Sequence, residues 1–176
     1  MRQQVRKLSE LLFIIAILTA PLSATTVEKM ELPQLVSASD NIVQGRVESV
    51  ESRYEANRIY TYVSITIDEP LKGERRRTVL LRQIGGAIGA KRTWVAGMPQ
   101  FNIGDQVILF LRDRHDGTFD VTGLNQGKYD IVNDFAVANV TGLAILDSKT
   151  GRISEAGFVE KAPLESFKAR IRELVR

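Results

Sequence analysis

The sequence predicts a mainly β protein. It reads as a small antiparallel barrel, closed or partly open, with a short helix before the strands and an amphipathic helix after them. Three observations carry this. Apolar and polar residues alternate in period two over most of the chain, the mark of half-buried strands. Short clusters of Gly, Pro, Asn and Asp separate the runs and read as turns. Helical spacing occurs at only two places, near residue 35 and near residue 170. A sandwich is the alternative packing.

Ahead of the strands, residues 1–24 read as a secretory signal peptide. Arg2, Arg6 and Lys7 precede the apolar core Leu11-Leu12-Phe13-Ile14-Ile15-Ala16-Ile17-Leu18, and Leu22-Ser23-Ala24 offers small residues for cleavage. The apolar run is too short for a permanent span, which needs about 20 residues. No second such run follows, so the expected working protein is residues 25–176, exported and without a membrane span. The chain of 176 residues holds 24 Lys+Arg and 21 Asp+Glu, and the signal segment takes three bases and one acid with it. What remains, 21 against 20, carries +1, which gives no support to a nucleic-acid partner. The chain has no cysteine. That excludes disulfides, thiolate metal sites, cysteine nucleophiles and lipoprotein anchoring together. A periplasmic or secreted bacterial protein is the expectation. About 152 residues suffice for one domain with a sound core.

The elements follow in order. Leu32 to Ser39 is a short helix with Pro33 in its first turn, where a missing N–H costs nothing. Asn41 to Tyr54 is a strand, Glu55-Ala56-Asn57-Arg58 a turn, and Ile59 to Ile67 a β-branched and aromatic strand ended by Pro70 and Gly73. Thr78 to Ile84 is a third strand. Gly85-Gly86-Ala87-Ile88-Gly89-Ala90 interrupts the pattern as a loop, and Arg92 to Ala96 reads as a short strand. Gly97-Met98-Pro99 and Asn102-Ile103-Gly104-Asp105 are turns. Gln106 to Arg112 is the most apolar strand and the expected centre. Asp113 to Gly117 turns into Thr118-Phe119-Asp120-Val121. Lys128–Val132 and Phe135–Val140 form a hairpin closed by Asn133-Asp134, residues that tolerate positive φ. Pro163 to Val175 is a helix with Leu164, Phe167, Ile171, Leu174 and Val175 on one face, and Lys168, Arg170, Arg172 and Glu173 outside.

Few constellations suit chemistry. His115 is the one histidine, in a turn between Arg114 and Asp116, where nothing fixes it between a nucleophile and an orienting acid. Asp113, Asp116 and Asp120 cluster around Gly117, but the spacing is not that of an EF-hand loop, and Asp-Gly serves turn chemistry. No metal and no cofactor are expected. The glycine segment lacks the Lys-Ser/Thr of a phosphate loop, and no helix follows it at once. Its neighbours matter more. Trp94, the only tryptophan, stands close to Met98 and Phe101, and such residues are enriched in interface cores. Gly85, Gly86, Gly89, Trp94, Met98 and Phe101 are therefore the candidate protein-binding residues, against a reading in which Trp94 tucks into the core. Arg75, Arg76, Arg77 and Arg82 form a candidate anion or oligosaccharide surface. A hydrolase or metal-dependent enzyme using His115 and nearby acids is the rival from another class. The leading expectation is a non-enzymatic domain that binds a protein at the cell envelope.

The strand sequence also carries a resemblance. Ser39-Asp40-Asn41-Ile42-Val43-Gln44-Gly45-Arg46-Val47 leads to a tyrosine-rich strand ending Glu69-Pro70-Leu71-Lys72-Gly73. Then come Thr78-Val79-Leu80-Leu81, Gly104-Asp105-Gln106-Val107-Ile108-Leu109-Phe110-Leu111 and Gly117-Thr118-Phe119-Asp120-Val121. Over about residues 35–132 this resembles the netrin-like module, the OB-type barrel of tissue inhibitors of metalloproteinases. It is also similar to uncharacterised exported bacterial proteins of like length. The resemblance implies an OB-type fold and a bias toward protein binding. The inhibitors chelate the protease zinc through an amino-terminal cysteine, and with no cysteine here no inhibitory residue carries over.

Overall fold

A computed structural model describes residues 26–141, 143–147, 150–154 and 157–176; the proposed signal peptide lies outside them. Among the described residues the protein is mainly β with two α-helices. In chain order the elements are β1 (Thr26–Glu28), α1 (Leu32–Ala38), β2 (Asn41–Glu55), β3 (Arg58–Lys72), β4 (Thr78–Ile84), β5 (Gly86–Ile88), β6 (Lys91–Thr93), β7 (Gln106–Asp113), β8 (Phe119–Val121), a 3-10 turn (Leu124–Gly127), β9 (Lys128–Val132), β10 (Phe135–Val140), β11 (Ala144–Asp147), β12 (Arg152–Ser154), β13 (Phe158–Pro163) and α2 (Leu164–Val175).

The long strands form one sheet in the order β13-β10-β9-β7-β2-β3-β4-β8. β8 also pairs back to β7, through Leu111–Val121, Arg112–Asp120 and Asp113–Phe119. Following the pairings from β7 through β2, β3, β4 and β8 thus returns to β7. β9 takes the other half of the same β7 edge, at Val107 to Leu109.

The expectation of purely antiparallel strands is corrected: the sheets are mixed. β4 and β8 run parallel at Leu81–Phe119, and β1 runs parallel to β11 from Thr26–Ala144 to Glu28–Leu146. The first exception is a matter of parity. Five strands that return on themselves cannot all alternate in direction, so one neighbouring pair must be parallel.

The turns obey local chemistry. Ala56 and Asn57 (φ 47° and 67°) close β2–β3, and Asn133 and Asp134 (φ 49° and 62°) close β9–β10, both two-residue connections of positive φ. Pro70 does not end its strand. β3 continues to Lys72 because Pro70 sits opposite Val43 beside a register shift, and prolines are tolerated at bulges. Gly86–Ile88 is a strand rather than a loop. It pairs with Lys91–Thr93, so the short strand expected at Arg92 to Ala96 ends at Thr93.

β2 and β7 are covered on both faces. Ile42, Ile108 and Phe110 join Leu32, Leu35 and Val36 of α1 and Phe167 and Ile171 of α2 in one core. Val43, Val47, Val107, Leu109 and Leu111 face the other way, onto Val63, Ile65, Leu81, Phe101 and Phe119. Within the first core, the Phe167 ring lies 4.4 Å from Tyr129 and edge-on to Phe110 at 6.5 Å.

Lys168 is not outside, as the helical stripe suggested, but 6% exposed. It bridges Glu165 at 2.7 Å and Glu69 of β3 at 2.9 Å, and Arg172 pairs with the same Glu69. A buried cation needs such partners. Leu174 and Val175, expected on the buried face, are exposed in the last turn, because Phe167 and Ile171 already make the contact with the sheet.

Candidate functional site

The site starts from a pair of hydroxyls. Ser52 of β2 and Thr61 of β3 lie opposite each other across the hairpin, 3.0 Å apart. Thr61 donates to the Gly85 carbonyl at 2.7 Å, and Ser52 accepts from the Ala87 amide at 3.3 Å. These bonds pin β5 onto the β2–β3 surface. The approach is so close that a Cβ on Gly86 would overlap both hydroxyl oxygens, and one on Gly85 would sit 2.9 Å from the Thr93 carbonyl. Both glycines also have positive φ, 101° and 132°. The segment is therefore a stapled hairpin that needs glycine for contact, not a loose loop.

Trp94 leaves the end of β6 at 72% exposure. The turn after it is anchored from three sides. Met98 N–H donates to the Val95 carbonyl at 3.3 Å, the Asn125 amide to the Gly97 carbonyl at 2.9 Å, and Gln83 Nε2 to the Pro99 carbonyl at 3.0 Å. Between hairpin and turn opens a cavity of about 280 Å³. Val50, Val63 and Phe101 give it apolar walls, and Trp94, Met98 and Arg92 also line it.

Of the six candidate binding residues, Gly85, Gly86, Trp94, Met98 and Phe101 line this one cavity. Their exposure differs. Trp94 is open, Met98 half-buried, and Phe101 buried at 9% with Lys128 over its ring. Gly89 is at the hairpin tip with nothing within 4 Å of where a Cβ would stand.

A second cavity of about 310 Å³ adjoins the first, and Gln83, Ile84 and Met98 line both. Its other walls include Tyr60, Arg82, Arg112, Arg114 and Asp120. Arg114 bonds Asp120 at 2.8 Å, which raises its pKa above the ordinary guanidinium value; Arg112 reaches the same carboxylate at 3.5 Å. Arg82 lies over the Tyr60 ring at 4.1 Å, with Glu55 at 3.5 Å and Asp116 at 4.0 Å, and its Nε is buried without a hydrogen-bond partner. Hydrogen bonds from the Thr118 hydroxyl and amide hold Asp116 below the usual carboxylate range.

The four candidate anion-binding arginines fall in two elements, the β3–β4 connection and β4. Arg75, Arg76 and Arg77 lie exposed in the β3–β4 connection, with Arg76 paired to Glu74 at 2.7 Å. Arg82 is five residues beyond Arg77, roughly 16 Å along an extended strand. His115 has an 89% exposed ring at positive φ (60°), its Nδ1 3.9 Å from Asp113. Asp113 instead accepts the His115 backbone N–H, and Asp120 is held by Arg114. No metal-ligating group of three converges among the described residues. Nor is any helix among them long and apolar enough to cross a membrane.

Sequence reading missed Ser52, Thr61, Tyr60, Gln83, Arg112 and Arg114. For the hydroxyl pair a signal existed. Ser52 and Thr61 are equidistant from the Ala56–Asn57 turn, so they must face each other once that turn is recognised. No family model matches the chain, and no curated protein is significantly similar to it.

Proposed function

We propose that the protein is an exported, non-enzymatic binding domain whose Trp94 anchors a protein partner at the cell envelope. The carrying observation is Trp94 itself. A large aromatic side chain stands 72% exposed at the rim of an apolar-walled cavity, on a hairpin stapled at Ser52 and Thr61. Burying such a ring on binding releases much apolar surface at little entropic cost, the pattern of an interface hot spot. The scaffold we assign is an OB-type barrel of the netrin-like kind. The five-strand return path β7-β2-β3-β4-β8 with its one parallel pair supports that assignment. The charged start and apolar core before residue 24 support export. The exposed, loosely placed His115 favours binding over hydrolysis.

The test is site-specific photo-crosslinking in cells that express the full chain. A photoreactive phenylalanine at position 94 should give a discrete protein adduct, and one at the exposed Ile153 should not. Met98→Asp should abolish the adduct at 94. Identical adducts from both positions, or none at 94, overturn the reading.

A further inference from the structure

We propose that the partner segment is an extended acidic peptide, with an apolar side chain in the Trp94 cavity and a carboxylate against Arg82 in the cavity beside it. This rests on the protein-binding reading and names its chemistry. The two cavities share Gln83, Ile84 and Met98 as a common wall, so one short segment can enter both. Their linings differ in kind. The first has Phe101, Val63 and Trp94, with Arg92 its one ionic residue and no acid. The second is lined by three arginines and one carboxylate, Asp120, with Glu55 and Asp116 flanking Arg82 from outside the lining.

Of those three, Arg82 alone makes no hydrogen bond to a carboxylate. Arg114 and Arg112 both hydrogen-bond Asp120, at 2.8 and 3.5 Å. Arg82 meets carboxylates only at 3.5 and 4.0 Å, too long for paired charge-assisted hydrogen bonds. Stacking on Tyr60 fixes the guanidinium plane in advance, so an incoming carboxylate meets a preset fork. Arg92 carries no ion pair among the described residues and adds positive charge to the lining of the Trp94 cavity. Each cavity thus offers a cation to an acidic segment.

The experiment titrates the full-length processed protein and reads Trp94 emission, the only tryptophan signal in the chain. The probes are acetyl-Ala-Phe-Glu-Ala-amide, its Gln counterpart, acetyl-Ala-Phe with a free carboxyl end, octanoate and a chitin tetrasaccharide. The Glu peptide should saturate and the Gln peptide should bind at least tenfold more weakly. The free-carboxyl peptide tells a chain terminus from a side chain as the source of the charge. Arg82→Gln should remove the preference for Glu over Gln while leaving the Gln peptide unchanged. Arg82→Lys should restore only part of it. Unchanged thermal unfolding would show that both variants are folded.

Equal binding of the Glu and Gln peptides overturns the acidic assignment and leaves the protein-binding reading standing. Response to the tetrasaccharide or octanoate but to no peptide overturns the acidic assignment, and the crosslinking at position 94 then judges the reading beneath it.

Discussion

Gly86 has no room for a methyl group. Its φ of 132° is closed to other L residues, and Ser52 and Thr61 occupy the space a Cβ would take. Gly86→Ala should therefore cost about 1–3 kcal/mol, the range for a backbone forced into such a region. Chemical denaturation would measure it, and Gly89→Ala, in open space, should cost less. Trp94→Ala should behave oppositely. An exposed ring leaves no cavity, so stability should stay within about 0.5 kcal/mol of the parent. The parent's emission should be red-shifted and quenched by acrylamide; a blue, protected emission would contradict the exposure. At this scale the sequence was half legible. The clustering of Trp94, Met98 and Phe101 after the glycines was visible. The arginine groove was not, because Arg82, Arg112 and Arg114 meet only through the return of β8 to both β4 and β7.

The closing helix joins the fold through two different kinds of contact. Phe167 is fully buried between Phe110 and Tyr129. Phe167→Ala should cost about 3–5 kcal/mol, as buried phenylalanine truncations do. If unfolding were unchanged, the helix would not be a core element. The other contact is ionic. Burial alone would push the Glu69 carboxyl up, but hydrogen bonds from Lys168 and Arg172 outweigh it and hold the pKa below its ordinary 4.5. The folded state thus prefers the charged form. Its contribution is complete above about pH 4.5 and fades as pH falls through the lower folded value. Glu69→Gln should flatten the acid limb of a stability-against-pH curve, and, since Glu69 also helps raise the Lys168 pKa, soften the loss of stability at strongly basic pH. The helical period found α2 and its two central anchors, but not the Lys168–Glu69 tie. Period fixes a direction around the helix axis, and a long lysine can reach inward from the edge of the apolar stripe. Likewise β11, β12 and β13 carry no strong alternation of their own; β13 is an edge strand held by β10 alone.

In the whole molecule, protection should follow burial on two faces. β2 and β7 divide the two large cores between alternate residues, so their central amides should exchange slowest, near the global unfolding free energy. β6 pairs only with β5 and is exposed along its whole length, so its amides should be among the fastest to exchange in the strands. Hydrogen exchange resolved by residue would check the order; uniform protection across both would contradict it. The strong apolar run at Gln106 to Arg112 already pointed to a central strand. That it is covered on both faces follows from the same run, since a half-exposed strand would alternate. The parallel β4–β8 pair could have been deduced from a five-strand closed count, but the pairing of β1 with β11 has no local signal at all.

That last pairing sets a clock. Thr26 meets Ala144, 118 residues later, and the same N-terminal stretch hangs on Gln126 through Met30 and Glu28. At roughly 5–20 residues per second, synthesis leaves β1 unpartnered for about 6–24 s. A three-residue strand is a poor template for stray pairing, so the delay is harmless, whereas a long strand in that place would wait exposed. β1 is thus among the last strands to find its partner.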